Sequence, residues 1–212
     1  MTAGEVREMF LSRYYAAAGL DAAGWNDNEI LNFVKLATMN IVQELSLAEA
    51  FDLISNIIKT STEITLTDNT TAIPNEYSAD LSLGGISNYL YYVRSRCRVT
   101  GTTTYVVNEF IQAHEAELFY ETPTHKPFFR HPKVFIQDST IKVLTDNIVR
   151  SSLDRIWVTY VQKPTFATLD GVDFDSDSEV ISNINISLHE KIVEAAVQIA
   201  IQSLISTERS SQ

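Results

Sequence analysis

Over the first 45 residues of the chain, apolar side chains return every three or four positions, the period of an amphipathic helix. Two such runs are each preceded by a short polar side chain with a glutamate three residues on, Thr2 with Glu5 and Asn26 with Glu29. That pairing satisfies the backbone N–H groups that a helix start leaves without partners. The pattern predicts a first helix over Ala3–Ala18, closed by Gly19, and a second over about Asp27–Leu45 that buries Ile30, Leu31, Val34, Ala37, Ile41 and Leu45. Ser46 with Glu49 repeats the signal and predicts a third helix over about Leu47–Lys59, presenting Phe51, Ile54 and Ile58. Short connections between these runs predict a small helical bundle.

From Glu63 the period shortens. "EITLTDNTTAI" predicts a hairpin around Asp68 and Asn69, with its second strand stopped by Pro74. In "YYVRSRCRVTG" Tyr91, Val93, Ser95, Cys97 and Val99 alternate with Arg94, Arg96 and Arg98, which predicts a strand with one basic face. A short helix is expected from about Asn108, a hairpin in "KVFIQDSTIKVLTD" turning near Asp138 and Ser139, and a strand in "DRIWVTYVQKP" ended by Pro164. The acidic "LDGVDFDSDSE" reads as a loop leading to a last helix, capped by Ser187 with Glu190. The fold class expected is α+β in a single domain: a helical part over 1–62, a mostly β part with a short helix over 63–165, an acidic loop over 166–186 and a C-terminal helix over 187–207 packing on the bundle.

The last helix has an apolar arc wider than one buried face needs. Ile192, Ala196, Ile199 and Ala200 form one stripe, Val193, Val197, Ile201, Leu204 and Ile205 widen it, and only Glu194, Gln198 and Gln202 leave a polar strip. No run of apolar residues is long enough for a membrane span, so the expectation is burial from several directions, part of it by another subunit. On this reading Val193, Val197, Ile201, Leu204 and Ile205 form an intersubunit face.

The chain has 212 residues and a net charge of −11, which divides as −5 over 1–64, 0 over 65–164 and −6 over 165–212. Acidic ends disfavour gripping nucleic acid, which needs a basic footprint, yet they suit a wall past which a polyanion slides. Cys97 is alone, so an intrachain disulfide and a cysteine metal cluster are both ruled out. The start of the chain lacks the apolar segment of a secretory signal and reads as mature cytosolic sequence.

Candidate chemistry is sparse. His114, His125, His131 and His189 stand in no metal-binding motif, and Pro127 interrupts "HKPFFRH" in a stretch that reads as loop. Asp173, Asp175 and Asp177 have the spacing of a calcium loop, but Ser178 replaces its glycine and Ile184 its closing glutamate, so a solvated acidic loop is the better reading. Arg94, Arg96 and Arg98 are suited to an anion or to a partner's carboxylates. Their commoner role would be to keep an edge strand soluble. No catalytic constellation and no cofactor motif is present.

The order of these elements resembles a known family. "EVREMFLSRYYAAAG", "WNDNEILNFVKLATMNIVQEL", a strand into "AIPNEY", then "YYVRSRCRVTG", "WVTYVQKP", an acidic loop and "EKIVEAAVQIAIQSL" together are similar to the head-to-tail connector proteins of short-tailed phages, and most to the ring or adaptor proteins of crAss-like phages. Ile73, Pro74 and Tyr77 match the exit from the early strand, and Tyr160, Lys163 and Pro164 match the later strand ending; Val180 and Ile181 stand where many adaptors have a Leu-Pro step. The resemblance implies a non-enzymatic virion protein at the head-to-tail junction, assembled in the host cytoplasm. It implies a homo-oligomeric ring, expected to be dodecameric, that binds the portal and neighbouring tail proteins, passes DNA through its lumen without reading sequence, and needs no cofactor, metal or membrane. The alternative is a monomeric module that binds an anionic ligand on the Arg94, Arg96 and Arg98 face.

Overall fold

The computed structural model describes residues 1–19, 22, 24–69, 76–86, 88–121, 130–146, 152–164 and 184–210. The fold mixes helices with largely antiparallel sheets and divides into two compact units, Met1–Ile57 with Lys163–Gln212, and Ile58–Gln162. The α-helices among the described residues are α1 (Ala3–Ala18), α2 (Asp27–Leu47), α3 (Ala116–Glu121) and α4 (His189–Ser210).

In the first unit both N-terminal caps form as the sequence predicts. Thr2 Oγ1 accepts from the Glu5 amide at 3.3 Å while Glu5 Oε2 accepts from the Thr2 amide at 2.8 Å. Asn26 Oδ1 and Glu29 Oε2 make the same exchange at 3.0 and 2.8 Å. Gly19, with φ at 94°, ends α1 in a conformation that a side chain would strain. The six residues expected to line α2 are all buried. Phe10 and Tyr14 of α1 stack with centroids 6.0 Å apart, Phe10 also meets Phe33 of α2, and Trp25 stands edge-on to Phe33 at 4.9 Å.

The expected third helix forms only in part, as a 3-10 segment that starts later than the sequence suggests. Ser46 lies inside α2, buried, and its hydroxyl donates to the Val42 carbonyl at 2.7 Å. A serine whose hydroxyl is already bound one turn back cannot cap a new helix. The chain leaves α2 through Glu49, at a positive φ of 55°, then makes a 3-10 segment over Phe51–Ile57, and Ile58 opens a strand. The Ser187–Glu190 cap is displaced as well. Asn185 Oδ1 accepts from the Ser187 amide at 3.1 Å, capping a single 3-10 turn (Ile186–Leu188) from which α4 continues.

Helix α4 packs on α1 and α2, and Arg13 of α1 holds Glu194 at 2.6 Å. Its burial corrects the expectation for this helix. Ile192, Val193, Ala196, Val197 and Ala200 are all covered within the unit, while Glu190, Lys191, Glu194, Gln198 and Gln202 are exposed. The helix is therefore amphipathic, with its apolar arc largely consumed by the two helices beneath it, and not apolar on several sides. Among the described residues no helix is long and apolar enough to cross a membrane.

The second unit contains β1 (Ile58–Thr60), β2 (Ile64–Thr65), β3 (Thr67–Asp68), β4 (Glu76–Asp80), β5 (Tyr89–Val99), β6 (Tyr105–Val107), β7 (Glu109–Phe110), β8 (Lys133–Gln137), β9 (Thr140–Leu144) and β10 (Leu153–Gln162). One sheet runs β1-β10-β5-β6, with β2 also on β10; the other runs β3-β4-β9-β8-β7, with β7 and β8 parallel. Ile64, Cys97, Val106, Ile156 and Val158 of the first sheet share one core with Tyr77, Ala79, Val134, Ile141 and Val143 of the second, the arrangement of two sheets packed face to face.

The chain changes sheet four times, and two of the changes, each made across a single residue, have a visible device. Between β2 and β3 only Leu66 intervenes, its amide bonded to the Asp154 carbonyl at 2.9 Å. Between β6 and β7 stands Asn108, buried, whose side-chain amide donates to Ser95 Oγ at 2.6 Å and to Cys97 Sγ at 3.2 Å. The helix expected from about Asn108 thus starts late: Glu109–Phe110 is the short strand β7, and helix begins at Ala113, as a 3-10 turn that leads into α3. Phe135 and Leu144, on the outer face of the second sheet, join Ile111 and Ala116 in a smaller core beneath α3. The hairpin turn at Asp138 and the long strand β10 match the sequence reading. The early hairpin pairs β3 with β4, so its returning strand begins at Glu76; Pro74 and Ile73 lie outside the described residues.

Candidate functional site

Strand β5 lies inside its sheet, flanked by β10 and β6, and the expectation that its arginines protect an edge is set aside. Alternation puts Ser95, Cys97 and Val99 into the core and Arg94, Arg96 and Arg98 on the outer face. Cross-strand register then surrounds the arginines with specific neighbours. Arg96 is opposite Trp157 and Val107, Arg98 opposite Tyr105, and Arg94 opposite Thr159.

The three arginines end in different circumstances. Arg98 is taken by Asp154, through Nε to Oδ1 at 3.1 Å and Nη2 to Oδ2 at 2.7 Å. Those bonds hold the Asp154 carboxyl below its ordinary range and raise the Arg98 guanidinium above its own. Arg155, on the same face, is tied to Glu63 at 3.1 Å. Arg96 meets no carboxylate among the described residues; its guanidinium carbon sits 4.9 Å from the Tyr105 ring centre and 5.6 Å from that of Trp157. The two rings meet edge to face at 5.4 Å, which fixes both walls. Arg94 is exposed, also without a carboxylate among the described residues.

Between these side chains lies a hollow of about 320 Å³ lined by Thr60, Arg94, Arg96, Val107, Trp157 and Thr159. The hydroxyl oxygens of Thr60 and Thr159, two of the lining residues, are 3.1 Å apart. A guanidinium is a rigid fork of N–H donors carrying positive charge, so the hollow is equipped to hold an anion. Sequence alone named the arginines but not Trp157, Tyr105, Thr60 and Thr159, which reach the site only through strand pairing.

The expected intersubunit residues separate into two groups. Val193 and Val197 are buried in the packing of α4 on α1 and α2, so they belong to the core of the unit. Ile201 and Leu204 are half-buried, and Ile205 is 47% exposed. Other uncovered apolar side chains were missed by the sequence reading. Leu36 is 52% and Leu47 63% exposed on α2, and Ile186 is 80% exposed just before α4. On α2 the exposed positions Asn32, Leu36, Asn40, Gln43 and Leu47, spaced by three and four, make one stripe without a charge. Its signal was present in the sequence as two leucines on the face opposite the Ile30–Leu45 stripe.

His114 and His131 are exposed and His125 lies outside the described residues, as does the acidic stretch 170–179. His189 is buried, with Nε2 3.1 Å from the Ile184 carbonyl and Nδ1 3.3 Å from the amino group of Met1. Among the described residues no three His, Cys, Asp or Glu side chains gather where a metal could bind. Burial pushes the Cys97 thiol up to about 12, so it packs as a small apolar group. No protein-family model matches the chain, and no curated protein is significantly similar to it.

Proposed function

We propose that this protein is a virion structural subunit of a head-to-tail connector ring, docking beneath the portal of a short-tailed phage and forming part of the DNA conduit. The observation that carries the reading is the uncharged stripe of α2, with Leu36 and Leu47 uncovered in a chain of net charge −11. From Asn32 to Leu47 it runs for roughly 22 Å along the helix. Ile186 and Ile205, one before α4 and one on it, are uncovered elsewhere in the same unit. A ring closed by rotation joins two different faces of each subunit, and apolar exposure on separate helices supplies two. In this reading α4 is the C-terminal helix of the connector bundle, with Ile201, Leu204 and Ile205 at its rim, and the ring is dodecameric. The excess of acids toward both ends of the chain suits a lumen that lets DNA slide without holding it.

The test is assembly. Light scattering and negative-stain imaging of the purified chain, alone and with the portal of its phage, are expected to show rings. Leu36→Glu with Leu47→Glu is expected to abolish them while leaving the circular dichroism melt unchanged, because both side chains already face water in the protomer. Val197→Lys serves as the contrast: it buries an unpaired ammonium inside the bundle and is expected to unfold the chain. A chain that stays monomeric in the presence of portal would overturn the reading.

A further inference from the structure

We propose that the hollow on the outer face of the first sheet binds a phosphomonoester, its dianionic head on Arg94 and Arg96 and its organic part against Val107 and Trp157. The four outward-facing arginines of this sheet divide sharply. Arg98 and Arg155 each have a carboxylate, at 2.7 and 3.1 Å, whereas Arg94 and Arg96 have none among the described residues and both line the hollow. Residues two apart on a strand face are roughly 7 Å apart, so two like charges are held side by side. A bridging anion would offset that repulsion. A chain carrying 27 acidic residues has carboxylates to spare, yet none of the described ones reaches this pair.

Arg96 is also prepared in orientation. Its interaction with Tyr105 and Trp157 uses the positive charge over the ring faces, and its N–H groups, which lie in the guanidinium plane, stay available. A donor fork fixed before binding loses little entropy when it closes on an oxyanion. Two guanidiniums match two negative charges, which favours a phosphomonoester over a carboxylate, since a monoanion would leave one cation uncompensated. Thr60 and Thr159, hydrogen-bonded to each other, leave one hydroxyl donor beside the head group. The hollow, about 320 Å³, holds a small ester and is too small for a duplex.

The site is independent of the ring reading, because an assembly-competent chain needs no ligand here and a ligand-binding chain needs no ring. The experiment is a titration of the full chain at low ionic strength with adenosine 5′-monophosphate, glucose 6-phosphate, inorganic phosphate and adenosine, followed by calorimetry and by tryptophan fluorescence, to which Trp25 adds a signal remote from the hollow in sequence. Saturable one-to-one binding of the two esters is expected, weaker binding of inorganic phosphate, and none of adenosine. Arg94→Gln and Arg96→Gln are each expected to weaken the esters about tenfold or more. Arg98→Gln, whose side chain is committed to Asp154, should change affinity less than threefold, and the Arg94→Gln, Arg96→Gln double variant should melt and assemble as the parent does. No saturable binding of either ester, or ester binding that survives the double variant, would overturn the proposal. Inorganic phosphate binding as tightly as the esters would overturn the role of Val107 and Trp157. A single-stranded oligonucleotide binding more tightly than both esters would overturn the small-ligand assignment in favour of a nucleic-acid face.

Discussion

Arg98 and Asp154 lock together by two parallel hydrogen bonds, at 3.1 and 2.7 Å, across the ladder that joins β5 to β10. The pair sits where the register between the two strands shifts, between Leu153 and Arg155, so it staples an irregular point of the sheet. It also removes one of the three arginines of the basic face from any role in binding.

The pair has a pH signature. Hydrogen bonds from Arg98 hold the Asp154 pKa below that of an unfolded aspartate, so the folded state favours the charged form. Its contribution is present above the ordinary carboxylate range and is lost as pH falls through the depressed folded value. Asp154→Asn is therefore expected to lower the thermal midpoint at pH 7. The gap to the parent should close progressively below about pH 4, as the parent's own carboxyl takes up a proton. Circular dichroism melts across pH 2–8 check this, and a gap that stays constant with pH would contradict it.

A second prediction concerns the alkaline side. Burial pushes Cys97 up to about 12 and does the same to Tyr89 and Tyr92. Groups raised in the folded state contribute stability below their unfolded values, and that stability is lost as pH rises toward the folded ones. Stability should accordingly decline between about pH 9 and 12. In the native protein at pH 8, Cys97 should resist a thiol-reactive disulfide reagent, and it should react at the rate of a free thiol once urea unfolds the chain. Rapid modification under native conditions would show that the core around β5 opens.

Gly84 offers a third. A Cβ built there would stand 2.5 Å from Ile64 Cδ1 and 2.7 Å from its Cγ1, with Ser61 Cβ at 3.2 Å. Ser61 belongs to the break between β1 and β2, where its hydroxyl accepts from the Val158 amide at 3.0 Å and replaces a ladder bond. The turn carrying Gly84 is seated against that break, and the Thr62 amide donates to the Gly84 carbonyl at 3.2 Å. Neither Ile64 nor Ser61 is free to yield, since both are buried. Gly84→Ala is expected to cost about 1–3 kcal/mol in urea denaturation, the usual penalty for overpacking a filled core.

How far these features can be read from the chain depends on the distance over which each is decided. Helices α1 and α2 announce themselves because a cap is a contract between residues three apart, as in Thr2–Glu5 and Asn26–Glu29. The β8–β9 turn at Asp138 and the alternation of Arg94, Arg96 and Arg98 are equally local. The same signal misleads at Ser46 and Ser187, because a cap motif does not state whether the hydroxyl is already engaged or a better cap lies nearby, as at Asn185.

Residue order alone thus determined where the first two helices begin, which side chains line the inner face of α2, and which face of β5 carries positive charge. Tertiary structure alone decided which of those charges remain available, because Asp154 lies 56 residues from Arg98 in the chain and meets it only through strand pairing. It decided in the same way that Val193 and Val197 are core residues while Leu36 and Leu47 face water. An amphipathic pattern records how much apolar surface a helix carries, and only packing determines which part of that surface another element covers.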